Sequence, residues 1–130
     1  MIVLPYKEYS HKSGMITMLE ARHMDTTLWL DLPSFGLIAH EDGKVVAAGF
    51  LRRVEGGYAM LDSYITNPHA TSDQRNRALD TITSKLISIS NAHGVTKLFT
   101  FTLDQGIADR AVRLGLTHLA EYSLLVKTSA

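Results

Sequence analysis

The sequence predicts a single α/β domain of the α+β kind: a mixed, mainly antiparallel sheet flanked by helices, in the order β-α-βββ-α-β-α-β. Three observations carry this. Three apolar runs between Phe35 and Thr66 are separated by Glu41-Asp42-Gly43 and Gly56-Gly57, and these turn residues supply the positive φ that tight hairpins need. From Ser72 onward apolar residues recur every three or four positions until Gly94 stops the pattern. Beyond it, a β-branched and aromatic run, a shorter amphipathic segment ending at Gly115 and a last apolar run add βαβ crossovers to the meander.

Taken in order, Met1 to Leu4 predicts a short strand, and Met15, Met18, Leu19 and Arg22 recur at helical spacing after it. Asp25 to Ser34 has no clean period. Its Leu28, Trp29, Leu30 and Leu32, closed by Pro33, predict a short helix or buried loop with most of these side chains in the core. The meander strands are Phe35 to His40, Lys44 to Val54 and Tyr58 to Thr66. Regular alternation puts Met60, Asp62 and Tyr64 on one face of the third strand and Leu61, Ser63 and Ile65 on the other. Ser72 or Asp73 is the expected cap of the long helix, whose apolar side comprises Ala78, Leu79, Ile82, Leu86, Ile89 and His93. Leu98 to Thr102 predicts a strand, Gln105 to Leu114 a helix and His118 to Lys127 a final strand.

Composition sets the outer bounds. The 130 residues are enough for one core, so residues 1–130 are expected to form one domain, and 45% hydrophobic with 20% charged residues is ordinary for a globular chain. Lys and Arg number 13, as do Asp and Glu, so no overall field favours nucleic acid. Arg52-Arg53 and the arginines near residue 76 are explained as surface charge. Cysteine is absent, which excludes disulfides, thiolate ligands and a cysteine nucleophile. Pro5, Lys7 and Glu8 interrupt the apolar start, which is neither a signal-peptide core nor a membrane span, so a cytoplasmic location is the simplest expectation. The six histidines form no i, i+4 pair, so no metal is expected. No Gly-x-Ser-x-Gly elbow or Walker-type loop occurs.

Three features in order resemble the GNAT acyltransferases: the meander ending in Tyr64-Ile65-Thr66-Asn67-Pro68, the long helix closing at Ala92-His93-Gly94-Val95, and Arg113-Leu114-Gly115-Leu116 before the last strand. The resemblance covers Phe35 to Lys127 and implies an N-acyltransferase that uses acetyl-coenzyme A and a primary amine. In such enzymes a glycine-rich loop opens a helix whose free N–H groups hold the coenzyme A pyrophosphate. The matching positions are Gln74, Arg75, Asn76, Arg77, Ala78 and Leu79. Only Gln74 fits the pattern, Arg77 and Leu79 replace small residues, and Arg75 and Arg77 are the candidate phosphate donors in their place.

The resemblance further implies a carboxylate base on the preceding strand, where Asp62 is the one acid, and a backbone donor near Ile65 that polarises the thioester carbonyl. In the family the strands on either side of the position of Ile65 splay into a slot that holds the pantetheine arm, so a splay here would favour cofactor binding and its closure by side chains would argue against it. The tyrosine that many members use as an acid is replaced by Ala111. His69, in the loop after Pro68, is a further candidate base or surface histidine. Two functions follow as expectations: acetyl transfer to an amine, with Asp62 as base, or a noncatalytic domain that binds a protein partner through the altered cleft. An exposed edge strand offers a self-pairing route to a dimer.

Overall fold

A computed structural model describes residues 1–102, 104–119, 125 and 127. The elements are β1 (Ile2–Pro5), α1 (Glu8–Ala21), a 3₁₀ turn (Thr26–Asp31), β2 (Phe35–Glu41), β3 (Lys44–Val54), β4 (Tyr58–Thr66), α2 (Ser72–Ala92), β5 (Lys97–Phe99) and α3 (Gln105–Arg113). This is the expected order as far as α3, and the last expected strand, His118 to Lys127, lies mainly outside the described residues. The sheet runs β1-β2-β3-β4-β5, antiparallel through β4 and parallel between β4 and β5. The hairpins form where the turn residues place them: Asp42 and Gly43 take φ of 52° and 76°, Gly56 and Gly57 take 85° and 92°.

Helices cover both faces. One core joins Leu37, Ala47, Leu51 and Leu61 to Ala78, Ile82 and Leu86 of α2. The other joins Ile38, Ala48, Phe50 and Ile65 to Met15, Met18 and Leu19 of α1. Close approach of layers explains two glycines: a Cβ on Gly36 would lie 2.1 Å from the Phe50 ring, and one on Gly49 would lie 2.8 Å from the Tyr64 ring and 2.9 Å from Ile82.

The structure corrects several local expectations. Thr71 caps α2, not Ser72 or Asp73: its hydroxyl accepts from Gln74 N–H while the Gln74 side chain accepts from Thr71 N–H, a reciprocal capping box. The buried spine of α2 is Ala78, Ile82, Leu86 and Ser90, with Thr83 beside it. Leu79 and Ile89 are only partly covered, and His93 is the exposed C-cap, because a straight four-residue spacing fits the narrow contact with the sheet. In the 3₁₀ turn Trp29 and Leu32 pack on the α1 core while Leu28 and Leu30 stay exposed, since one short turn can present only one side inward. β5 ends at Phe99, three residues before the expected end.

The alternation expected for β4 fails at Ser63. Phe50 pairs with Asp62 and Ala48 with Ile65, so Ser63 and Tyr64 together stand opposite Gly49, and Ser63 takes a left-handed φ of 57°. This bulge reverses the faces beyond it. Tyr64 joins Leu61 on the α2 side, and Ile65 joins the α1 core.

Candidate functional site

The bulge sits where the sheet opens. β4 and β5 pair only from Tyr58 with Lys97 to Met60 with Phe99, after which β4 continues six residues to Thr66 without a β5 partner. The Thr100 hydroxyl donates to Leu61 O at 3.1 Å, satisfying a carbonyl at the point of divergence. Beyond it lies a cleft of about 290 Å³. One wall is β4 from Leu61 to Thr66, the opposite wall is Thr100, Phe101 and Thr102, and the α2 side is closed by Leu79, Thr83, Ile107, Arg110 and Ala111. β4 and β5 thus splay apart beside Ile65.

Asp62 lines this cleft and is fully engaged. Oδ2 accepts from Arg52 Nε at 2.5 Å and Oδ1 from Ser63 N–H at 2.7 Å, while Arg52 also donates to Asp31 O of the 3₁₀ turn. The bulge thus aims the amide of Ser63 at the carboxylate, and Arg52 fixes the carboxylate from the neighbouring strand. Ile65 contributes its backbone to the cleft wall, with its side chain buried in the α1 core.

Tyr64 is the cleft residue the sequence reading missed. Its hydroxyl is 2.9 Å from the Thr83 hydroxyl, and burial pushes its pKa up to about 12 against the opposing effects of the Thr83 hydrogen bond and the Arg110 charge. At neutral pH it is a protonated phenol that can donate. The available signal was Gly49: an isolated glycine inside an apolar strand marks a bulge or a close approach. Ala111, buried on α3, lines the same cleft as Tyr64. α3 is held over the cleft by Arg110, which donates to Asp80 and Asn76, and by Arg113, which also donates to Asp80.

Gln74, Arg75 and Arg77 stand at the N-terminus of α2, away from the cleft lining. Gln74 closes the capping box. Arg75 turns back onto the carbonyls of Pro68 and Ala70. Arg77 forms a two-pronged pair with Glu41, at 3.1 and 2.9 Å, and bonds Asp73 at 2.8 Å. These bonds hold the Glu41 carboxyl below its ordinary pKa, with Arg77 as the main cause. In the preceding loop the amides of His69, Ala70 and Thr71 are all satisfied internally, by Asn67 and Gln74. The slot between β4 and β5 is thus open, whereas the side chains at the start of α2 are engaged with one another, with Glu41 and with the loop before the helix. Among the described residues no group of histidines and carboxylates could hold a metal, and no helix is long and apolar enough to cross a membrane.

Comparison with solved structures gives consistent matches over the whole chain. An aminoglycoside acetyltransferase from an uncultured soil metagenomic sample, in complex with sisomicin, superposes with a TM-score of 0.72 at 13% identity, covering 99% of this chain and 96% of its own. The fold is that of the GNAT acetyltransferases. An aminoglycoside N-acetyltransferase in complex with CoA matches with a TM-score of 0.68 at 14% identity, covering 98% of this chain and 100% of its own. A ribosomal-protein alanine N-acetyltransferase from Escherichia coli gives 0.72 at 13%, covering 92% of this chain and 80% of its own. No family model matches the sequence, and no curated protein matches it. The GNAT fold of this chain is thus carried by topology and shape, at identities too low to transfer an activity.

Proposed function

We propose that this chain is an N-acyltransferase that binds an acyl thioester in the β4–β5 cleft and transfers the acyl group to a primary amine. The observation that carries this reading is the departure of β4 from β5 after Met60 and Phe99, which opens a slot beside the bulged segment that holds Asp62 and Tyr64. The amine nitrogen attacks the thioester carbonyl carbon; the C–N bond forms, the C–S bond breaks, and the sulfur leaves as thiolate. Asp62, directly or through a water, takes the proton released by the amine. Arg52 and the Ser63 amide hold this carboxylate in place on the wall of the cleft. In this reading backbone donors of the β4 wall near Ile65 polarise the carbonyl, and the protonated Tyr64 hydroxyl is a further donor on the α2 side.

The test is thiol release from acetyl-coenzyme A and from S-acetylpantetheine with a panel of primary amines, in wild type and Asp62→Asn. Turnover that falls about a hundredfold or more in the variant is expected. No thiol release with any amine, and no thermal shift with either thioester, would overturn the reading in favour of a noncatalytic domain that binds a protein partner.

A further inference from the structure

The two halves of the thioester-binding region are built in opposite ways. The slot is open. The α2 N-terminus beside it is closed by its own side chains: Gln74 occupies the Thr71 amide, Arg75 is turned onto loop carbonyls, and Arg77 is held between Glu41 and Asp73. An incoming diphosphate would have to displace two carboxylates from Arg77 and would meet their negative charge at the helix end where an anion is otherwise welcome. Displacement exchanges one charge-assisted pair for another, with little net gain.

We infer that the donor is recognised by its pantetheine arm and thioester alone, and that the adenine nucleotide of acetyl-coenzyme A adds almost nothing to binding. The ligand class is therefore an S-acyl pantetheine, either free or carried through a phosphate on a carrier protein. The inference rests on the proposed transferase reading and sharpens its donor. It also explains why the glycines of the family pattern are missing while the slot is kept. Glycine at position 77 serves close approach of phosphate oxygens to the backbone, and that requirement lapses when no pyrophosphate is held. The arginine at that position acquires a structural partner in Glu41, thirty-six residues away at the end of β2, and so ties the hairpin to the helix.

The experiment compares dissociation constants, by calorimetry at millimolar ligand, of acetyl-coenzyme A, S-acetylpantetheine, S-acetyl phosphopantetheine and adenosine bisphosphate. Acetyl-coenzyme A and S-acetylpantetheine are expected within about threefold of each other, with adenosine bisphosphate failing to compete. Tighter binding of the phosphorylated arm than of the free one would favour the carrier-borne source; equal binding would favour the free thioester. Acetyl-coenzyme A binding about a hundredfold tighter than S-acetylpantetheine would overturn the inference and leave the transferase reading standing. Failure of every thioester to bind would overturn both. The double variant Glu41→Gln, Asp73→Asn frees Arg77 and is expected to raise acetyl-coenzyme A affinity about tenfold while leaving S-acetylpantetheine unchanged. An unchanged ratio in that variant would refute the closed-cradle argument.

Discussion

Gly49→Ala probes the geometry that creates the cleft. The added methyl would stand 2.8 and 2.9 Å from two atoms of the Tyr64 ring and 2.9 Å from Ile82 Cγ2, against an unstrained carbon separation of about 3.5–4.0 Å. Neither neighbour can yield easily. Ile82 is fully buried in the α2 core, and Tyr64 is tethered through its hydroxyl to Thr83. Overpacking of this size costs about 1–3 kcal/mol. By itself, an alanine for glycine would gain about 0.4–1 kcal/mol through the less flexible unfolded chain, so any net loss requires the clash. Net of that gain the loss is up to about 2.6 kcal/mol, so at roughly 4 °C per kcal/mol for a chain of this length the melting temperature should fall by up to about 10 °C. Urea unfolding and a thermal scan measure this directly. In a Tyr64→Ala background the penalty should shrink, because one of the two contacts is gone. A variant as stable as wild type, or a penalty unchanged by Tyr64→Ala, would refute the bulge packing described above.

Three other outcomes follow from the same contacts. Thr71→Ala removes the capping box and should cost about 1 kcal/mol in urea unfolding. Partial burial raises the Asp80 pKa, but the hydrogen bonds from Arg113 and Arg110 outweigh it and leave the carboxyl below its ordinary value. Its ionised form therefore supports the fold above the usual carboxylate pKa, and the support is lost as pH falls through the lower folded value. Asp80→Asn should accordingly speed amide exchange across α3 at neutral pH, with exchange in β2 and β3 unchanged. His11 accepts the Lys7 amide on Nδ1, packs against Tyr6 and His40, and has its pKa lowered by burial first and then by the charges of His40 and Lys7. The neutral ring is the form the fold prefers. Its contribution is complete above the ordinary imidazole value and is lost as pH falls through the depressed one. The urea midpoint should therefore drop between about pH 7 and pH 5 more steeply in wild type than in His11→Gln.

What could be seen in the sequence, and what could not, divides along a physical line. Asp42-Gly43 and Gly56-Gly57 announce the hairpins because positive φ is a property of the residue and its immediate neighbours. The periodic apolar side of α2, its stop at Gly94 and the βαβ crossovers are likewise written in local spacing, so the GNAT topology was legible through α3. Asp62 could also be placed, since it lies before the bulge where alternation still holds.

Tyr64 could not be placed by counting. One left-handed residue at Ser63 reverses the faces of the strand beyond it, and that conformation depends on Gly49 of the adjacent strand giving way to a ring. Arg75 and Arg77 read from the sequence as free cations at a helix start. Their charge is committed by loop carbonyls that fold back and by Glu41, which the sheet brings from far along the chain. The sequence by itself determined the order of elements, the turns and one acidic side chain in the cleft, because each follows from the preferences of a few consecutive residues. Only the tertiary structure decided which side chains face the open slot and which cations remain available to a ligand, because both depend on steric and electrostatic contacts between segments distant in the chain.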